Sequence, residues 1–175
     1  QSWPECLVAS VEADESSARL QRRMLQSHQS DRVCLLTTRA DARFAQSIVQ
    51  TAQRFDAVLC LSVLHWLPHH RQLLSQLGTI SRRILVEQPD PREHGAGFAQ
   101  IRQEIGAIGP YLRGLFPQRP LRRLAQLPSH RECPYPREIW LVDEPGGAPV
   151  EPAPGLEVNA LLSLGLSWPP RAWWL

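Results

Sequence analysis

Apolar and polar positions alternate along this chain in two rhythms. CLVASVEA, residues 6 to 13, is a short continuous apolar run with β-branched side chains that closes on acids, and it reads as a strand. ESSARLQRRMLQSH, 15 to 28, sets Ala18, Met24 and Leu25 at near-helical spacing with Leu20 beside them; Ser16 or Ser17 can cap its start. The alternation then repeats. RVCLLTT (32 to 38) reads as a strand, and ADARFAQSIVQTAQ (40 to 53) carries Phe44, Ile48 and Val49 on one helical stripe. FDAVLCLSVL (55 to 64) is a strand apolar on both faces, HHRQLLSQLGTIS (69 to 81) a helix, and RRILVEQP (82 to 89) a strand that stops at Pro89.

Strands apolar on both faces, each followed by a helix of about 10 to 15 residues, suit a parallel sheet covered on both sides. The expected class is therefore α/β, Rossmann-like and doubly wound. A glycine-interrupted helical region follows from 92 to 116, where Pro110 predicts a break or a kink. Two further β-like runs, LRRLAQLPSH (121 to 130) and REIWLVDE (137 to 144), are joined by a linker too short for a helical crossover. They must pair antiparallel, so the mostly parallel sheet ends in an antiparallel hairpin. The domain is expected over 1–144 and a proline and glycine linker over 145–158. The tail 159–175, with three of the six tryptophans, either covers an edge of the domain or lids a pocket.

Composition narrows the function classes. At 175 residues the chain can build one domain with a real core. The net charge is +2, and with no lysine all basic residues are arginines, spread thinly in pairs such as Arg22–Arg23, Arg82–Arg83 and Arg122–Arg123. Such pairs read as a solvated surface, and nucleic acid is not indicated as a partner. Lysine chemistry, whether a Schiff base or a phosphate-loop lysine, is excluded. The four cysteines show no C-x-x-C spacing, and three lie in apolar runs. They read as buried thiols of a reducing, cytoplasmic compartment, with neither a disulfide framework nor a metal site. No run of ~18 apolar residues is present, so no membrane partner is expected. The chain opens without methionine and enters an apolar run within five residues, which reads as part of a longer polypeptide.

In an open α/β sheet, ligands bind beyond the carboxyl ends of the strands. The polar residues expected there are Glu12 and Asp14 from the first strand, Asp41 after the second, Ser62, His65 and Trp66 from the third, and Glu87 from the fourth. Together these residues resemble the S-adenosylmethionine-dependent class I methyltransferases. In that family an acid closing the second strand holds the ribose hydroxyls, as ASVEADE would do through Glu12. An acid after the third meets the adenine amino group, as TTRADARF would do through Asp41, with Ala42 beside it. FDAVLCLSVLHWL, 55 to 67, looks like the fourth-strand motif, whose far end passes the methyl donor, and a hairpin closes that fold too. The resemblance covers most of residues 6 to 144.

It implies S-adenosylmethionine as the small-molecule cofactor, held by Glu12 and Asp41 and flanked by the Cys60, Leu61 and Ser62 backbone. His65 and Glu87 are the candidate catalytic groups, and Trp66 would face the substrate. The methyl acceptor is unknown, with a glycan or the phosphate end of an RNA as weak candidates and Arg92 as a possible phosphate contact. Plainer readings stand beside each role. Glu12 and Asp14 could serve the next helix's dipole, Asp41 could be a helix N-cap, and Asp56 is structural. Glu87 could be a loop acid, and His65 a buried ring packed beside Trp66.

One family element is missing. A glycine-rich turn should follow the first strand, yet residues 1 to 11 hold no glycine, and Gly95 and Gly97 follow the wrong strand. Either the element lies upstream, or it is lost and the fold is a non-catalytic binding or scaffold module. Were it upstream, its strand would sit at the centre of the sheet, and the neighbouring strands would be left without a partner.

Overall fold

The structure is a computed structural model, and it describes residues 8–27, 33–50, 55–93, 98–128 and 134–146. The Trp-rich tail, Cys6, Cys133, Gly95 and Gly97 lie outside them. The elements run β1 (Val8–Glu12), α1 (Glu15–Ser27), β2 (Val33–Thr37), α2 (Ala42–Gln50), β3 (Phe55–Leu61), a 3-10 turn (Leu64–Trp66), α3 (His70–Ile80), β4 (Ser81–Gln88), α4 (Ala99–Ile105), α5 (Ile108–Leu115), β5 (Leu121–Leu127) and β6 (Arg137–Val142).

The strands form two sheets where one was expected. β1 pairs parallel with β2 from Val8↔Val33 to Glu12↔Thr37, and a four-stranded sheet runs in the order β3-β4-β6-β5. Within it β3 and β4 are parallel, while β6 runs antiparallel to both β4 and β5. Helix α2 packs on α3. Among the described residues β1 and β3 each keep one edge without a strand partner.

The register explains how the core is divided. Val58, Cys60, Ile84, Val86 and Val142 share one face of the larger sheet, and they pack under Leu73, Leu74 and Leu77 of α3, Ile101 and Ile105 of α4, and Ile108 and Leu112 of α5. Leu59 stands on the opposite face beside Leu85 and Leu141, and it is 64% exposed. The expectation that this strand is covered on both sides is therefore corrected at Ala57 and Leu59, which are exposed, although Leu141 on the same sheet face is buried. Cys34, expected to be buried, is exposed on β2, whereas Cys60 is buried. Burial pushes the Cys60 thiol up to about 12, so it stays protonated.

Three local expectations shift for identifiable reasons. Strand β3 stops at Leu61 because Ser62 takes a left-handed conformation at φ 55°, the only non-glycine residue to do so among those described. The break in the helical region falls at Gly106, φ 58°, which ends α4; Pro110 sits in the first turn of α5, where its missing N–H costs nothing. The cap of α1 is Asp14, whose carboxylate accepts the Ser17 N–H at 2.7 Å, not Ser16 or Ser17. That bond draws the Asp14 carboxyl below its usual range.

Candidate active site

The carboxyl end of β3 turns sharply at Ser62, whose N–H donates to the Glu87 carbonyl at 3.0 Å and so ties this turn to the end of β4. Arg137, the first residue of β6, reaches under it. Its Nη2 and Nε bind both oxygens of Glu93 at 2.7 and 3.2 Å, and its Nη1 binds Glu87 Oε1 at 3.0 Å and donates to Ser62 Oγ. All four side chains are buried. A planar guanidinium can fill a two-carboxylate site in this way because its five N–H groups lie in one fixed fork. Two acids and a single arginine, all dry, are held only because nearly every donor has a carboxylate or hydroxyl to meet.

Beside the network lies His65. It is 1% exposed, with Nδ1 3.4 Å from Gln88 Oε1 and its ring 5.5 Å from that of Trp66. Burial brings its pKa down to about 4; the Gln88 contact opposes this, and the nearby Arg137 and Arg102 charges reinforce it. The imidazole is therefore neutral at pH 7. Gln88 itself is buried, and its Nε2 has no hydrogen-bond partner among the described residues. Trp66 stands outside, 41% exposed, against the 53% exposed Phe98.

The candidate residues thus fall into two groups that no described contact joins. Ser62, His65, Trp66 and Glu87 come together at the ends of β3 and β4. Glu12 and Asp41 belong to the smaller sheet. Glu12, half-buried at the end of β1, accepts the Asp14 N–H at 2.8 Å and meets Gln21 Nε2 at 3.4 Å; the turn after β2 joins it through Thr38 N–H on the Glu12 carbonyl at 3.0 Å. Asp41 caps α2 by accepting the Phe44 N–H at 2.9 Å. Ala42 opens that helix. Cys60 is a core residue and Leu61 is half-buried next to it. Asp56 is an exposed acid 3.8 Å from Arg82. Arg92, considered for a phosphate, chelates Asp90 at 2.8 and 2.9 Å and lies 3.8 Å over the Tyr135 ring.

Sequence reasoning missed Arg137, Glu93 and Gln88. Gln88 and Glu93 bracket the Pro89–Pro91 turn, and polar side chains around a turn are ordinarily solvated. Arg137 lies 44 residues beyond Glu93, and only the β4–β6 register brings it back. Among the described residues no group of three His, Cys, Asp or Glu side chains could hold a metal ion, and no helix is long and apolar enough to cross a membrane.

No family model and no curated protein matches the chain. Solved structures do. WbdD, described as a bifunctional kinase-methyltransferase, superposes with a TM-score of 0.57 at 18% identity over 77% of this chain and 30% of that one. EvdMO1 gives 0.58 at 17% identity over 81% and 32%. Its N-terminal domain with SAH bound gives 0.56 at 17% over 81% and 66%. The fold is similar to that of these proteins, a methyltransferase-like fold. The chain spans about a third of WbdD and of EvdMO1, and two thirds of the EvdMO1 N-terminal domain. At these identities the likeness extends to the methyltransferase fold alone.

Proposed function

We propose that this chain is the larger part of a class I methyltransferase domain that moves a methyl group from S-adenosylmethionine to an oxygen or nitrogen nucleophile. The observation that carries the reading is the alignment of acids and a left-handed turn at strand ends in a methyltransferase fold. The donor set suits the cofactor. Glu12 offers a carboxylate for two vicinal hydroxyls, Asp41 an acceptor for an exocyclic amine, and the Cys60–Ser62 backbone a wall beside the donor. When bound, the cofactor supplies a sulfonium methyl: its bond to the acceptor atom forms as the carbon–sulfur bond breaks, and sulfur keeps the electron pair.

The chain's own residues would then orient and exclude water. Alignment of nucleophile and methyl supplies much of the rate in such a displacement. His65, buried and with its pKa brought down to about 4, is a weak base and is better suited to holding the turn behind the acceptor than to taking its proton. Glu87, committed to Arg137, serves better as a fixed part of the wall than as a base.

The edges of β1 and β3 that have no strand partner among the described residues, with the exposed Leu59, support one more strand between them, parallel to both. The second reading, a non-catalytic binding module, draws on the same exposed apolar edge and on the absent glycine turn.

Calorimetric titration of the chain with S-adenosylhomocysteine tests the proposal. One-site saturable binding that is lost in Glu12→Ala with Asp41→Ala supports it. A folded chain that does not bind favours the module, and binding unchanged by the double substitution overturns the cofactor assignment.

A further inference from the structure

We propose that the methyl acceptor is a neutral, hydroxyl-bearing ring, a sugar, seated on the corner formed by Trp66 and Phe98. The inference rests on the methyltransferase reading and narrows its acceptor. The two rings meet edge to face, with centroids 5.9 Å apart and planes at 73°. Both expose a large share of their surface to water, as does Val63. The corner is pinned to the end of β3: Phe98 N–H donates to the His65 carbonyl at 3.0 Å, and Trp66 N–H to the Val63 carbonyl at 3.0 Å. Two rigid aromatic faces at a right angle offer a large apolar contact at low entropic cost, and a sugar ring carries an apolar C–H face to match.

Charge separates a neutral acceptor from a phosphate. Recognition of a phosphate relies on arginine or lysine charge in excess of local acids. At this end of the sheet Arg92 is held by Asp90, Arg137 by Glu87 and Glu93, and Arg102 is a third, buried arginine. Three arginines face three acids, so the described site has no positive surplus. The His65 imidazole, its ring 5.5 Å from that of Trp66, and the Gln88 amide that meets it at 3.4 Å are neutral hydrogen-bonding groups, and Gln88 Nε2 has no partner among the described residues. Such groups match hydroxyls, and a buried amide N–H left without a partner is destabilising.

Saturation-transfer NMR on the chain tests this with D-fucose, D-galactose and D-galactose 6-phosphate as probes. The last two share a sugar ring and differ at C6 by the phosphate. The expected result is transfer to the ring protons of the two neutral sugars, lost in Trp66→Ala and in Phe98→Ala and restored in Trp66→Phe, with no gain for the phosphate. Stronger transfer to the phosphate, transfer indifferent to Trp66→Ala, or no transfer at all would overturn the inference. So would a dimer in sedimentation that Trp66→Ala dissociates, since a second copy would then occupy the corner. S-adenosylhomocysteine titration of the same samples separates the two levels: if it binds while the sugars fail, only the sugar inference falls, and if neither binds, the methyltransferase reading falls too.

Discussion

Arg137 grips Glu93 with two hydrogen bonds, at 2.7 and 3.2 Å, and both side chains are shut off from water. The pair joins the start of β6 to the loop after β4, and through Glu87 and Ser62 it fixes the turn beside which a methyl donor would lie. Removing the guanidinium leaves two buried acids without a counter-charge. Arg137→Ala is therefore expected to cost about 3–5 kcal/mol, read as a lower urea midpoint. The triple change Arg137→Met, Glu87→Gln, Glu93→Gln should recover most of that loss, because no charge remains buried.

His65 sets a pH dependence with a definite sign. Its folded pKa, brought down to about 4 by burial, lies below the ordinary value of 6.5, so between those values the unfolded chain binds the extra proton. Its contribution is intact above pH 6.5 and is lost as pH falls from 6.5 toward 4. Burial lowers His70 as well, and that ring adds to the same slope. Melting temperature measured from pH 7.5 to 4 should fall, and His65→Gln should flatten the fall in part. An unchanged slope would remove His65 from the acid response.

Two glycines of one helix should respond with opposite signs. A Cβ on Gly109 would stand 2.5 Å from the Trp140 indole, whereas one on Gly114 meets nothing within 4 Å. Gly109→Ala is expected to lose about 1–3 kcal/mol to overpacking. Gly114→Ala should gain about 0.5–1 kcal/mol from helix propensity. Denaturant titration of both variants decides the matter.

Leu59 tests the open face of β3. Because this side chain faces water, Leu59→Ser should change the stability of the chain by less than about 0.5 kcal/mol while reducing dye binding and aggregation. A large loss would mean that this face is already covered.

Sequence and structure divide the description along a physical line. The chain's own pattern determined the order and type of the elements: the strand–helix alternation through β4, the antiparallel pairing of β5 with β6, and the cap at Asp41, whereas the cap of α1 fell on Asp14 and not on the serines the pattern offered. Burial on both faces of β3 was not legible, because an apolar run records what a strand could bury and says nothing of which neighbours arrive. Ser62 was expected beside the donor as backbone, and its left-handed turn carries no sequence signal. The Arg137–Glu93–Glu87 network and the depth of His65 were decided by tertiary structure alone. They bring together side chains from the ends of separate strands, and charges are stable there only when register and burial place each beside its partner.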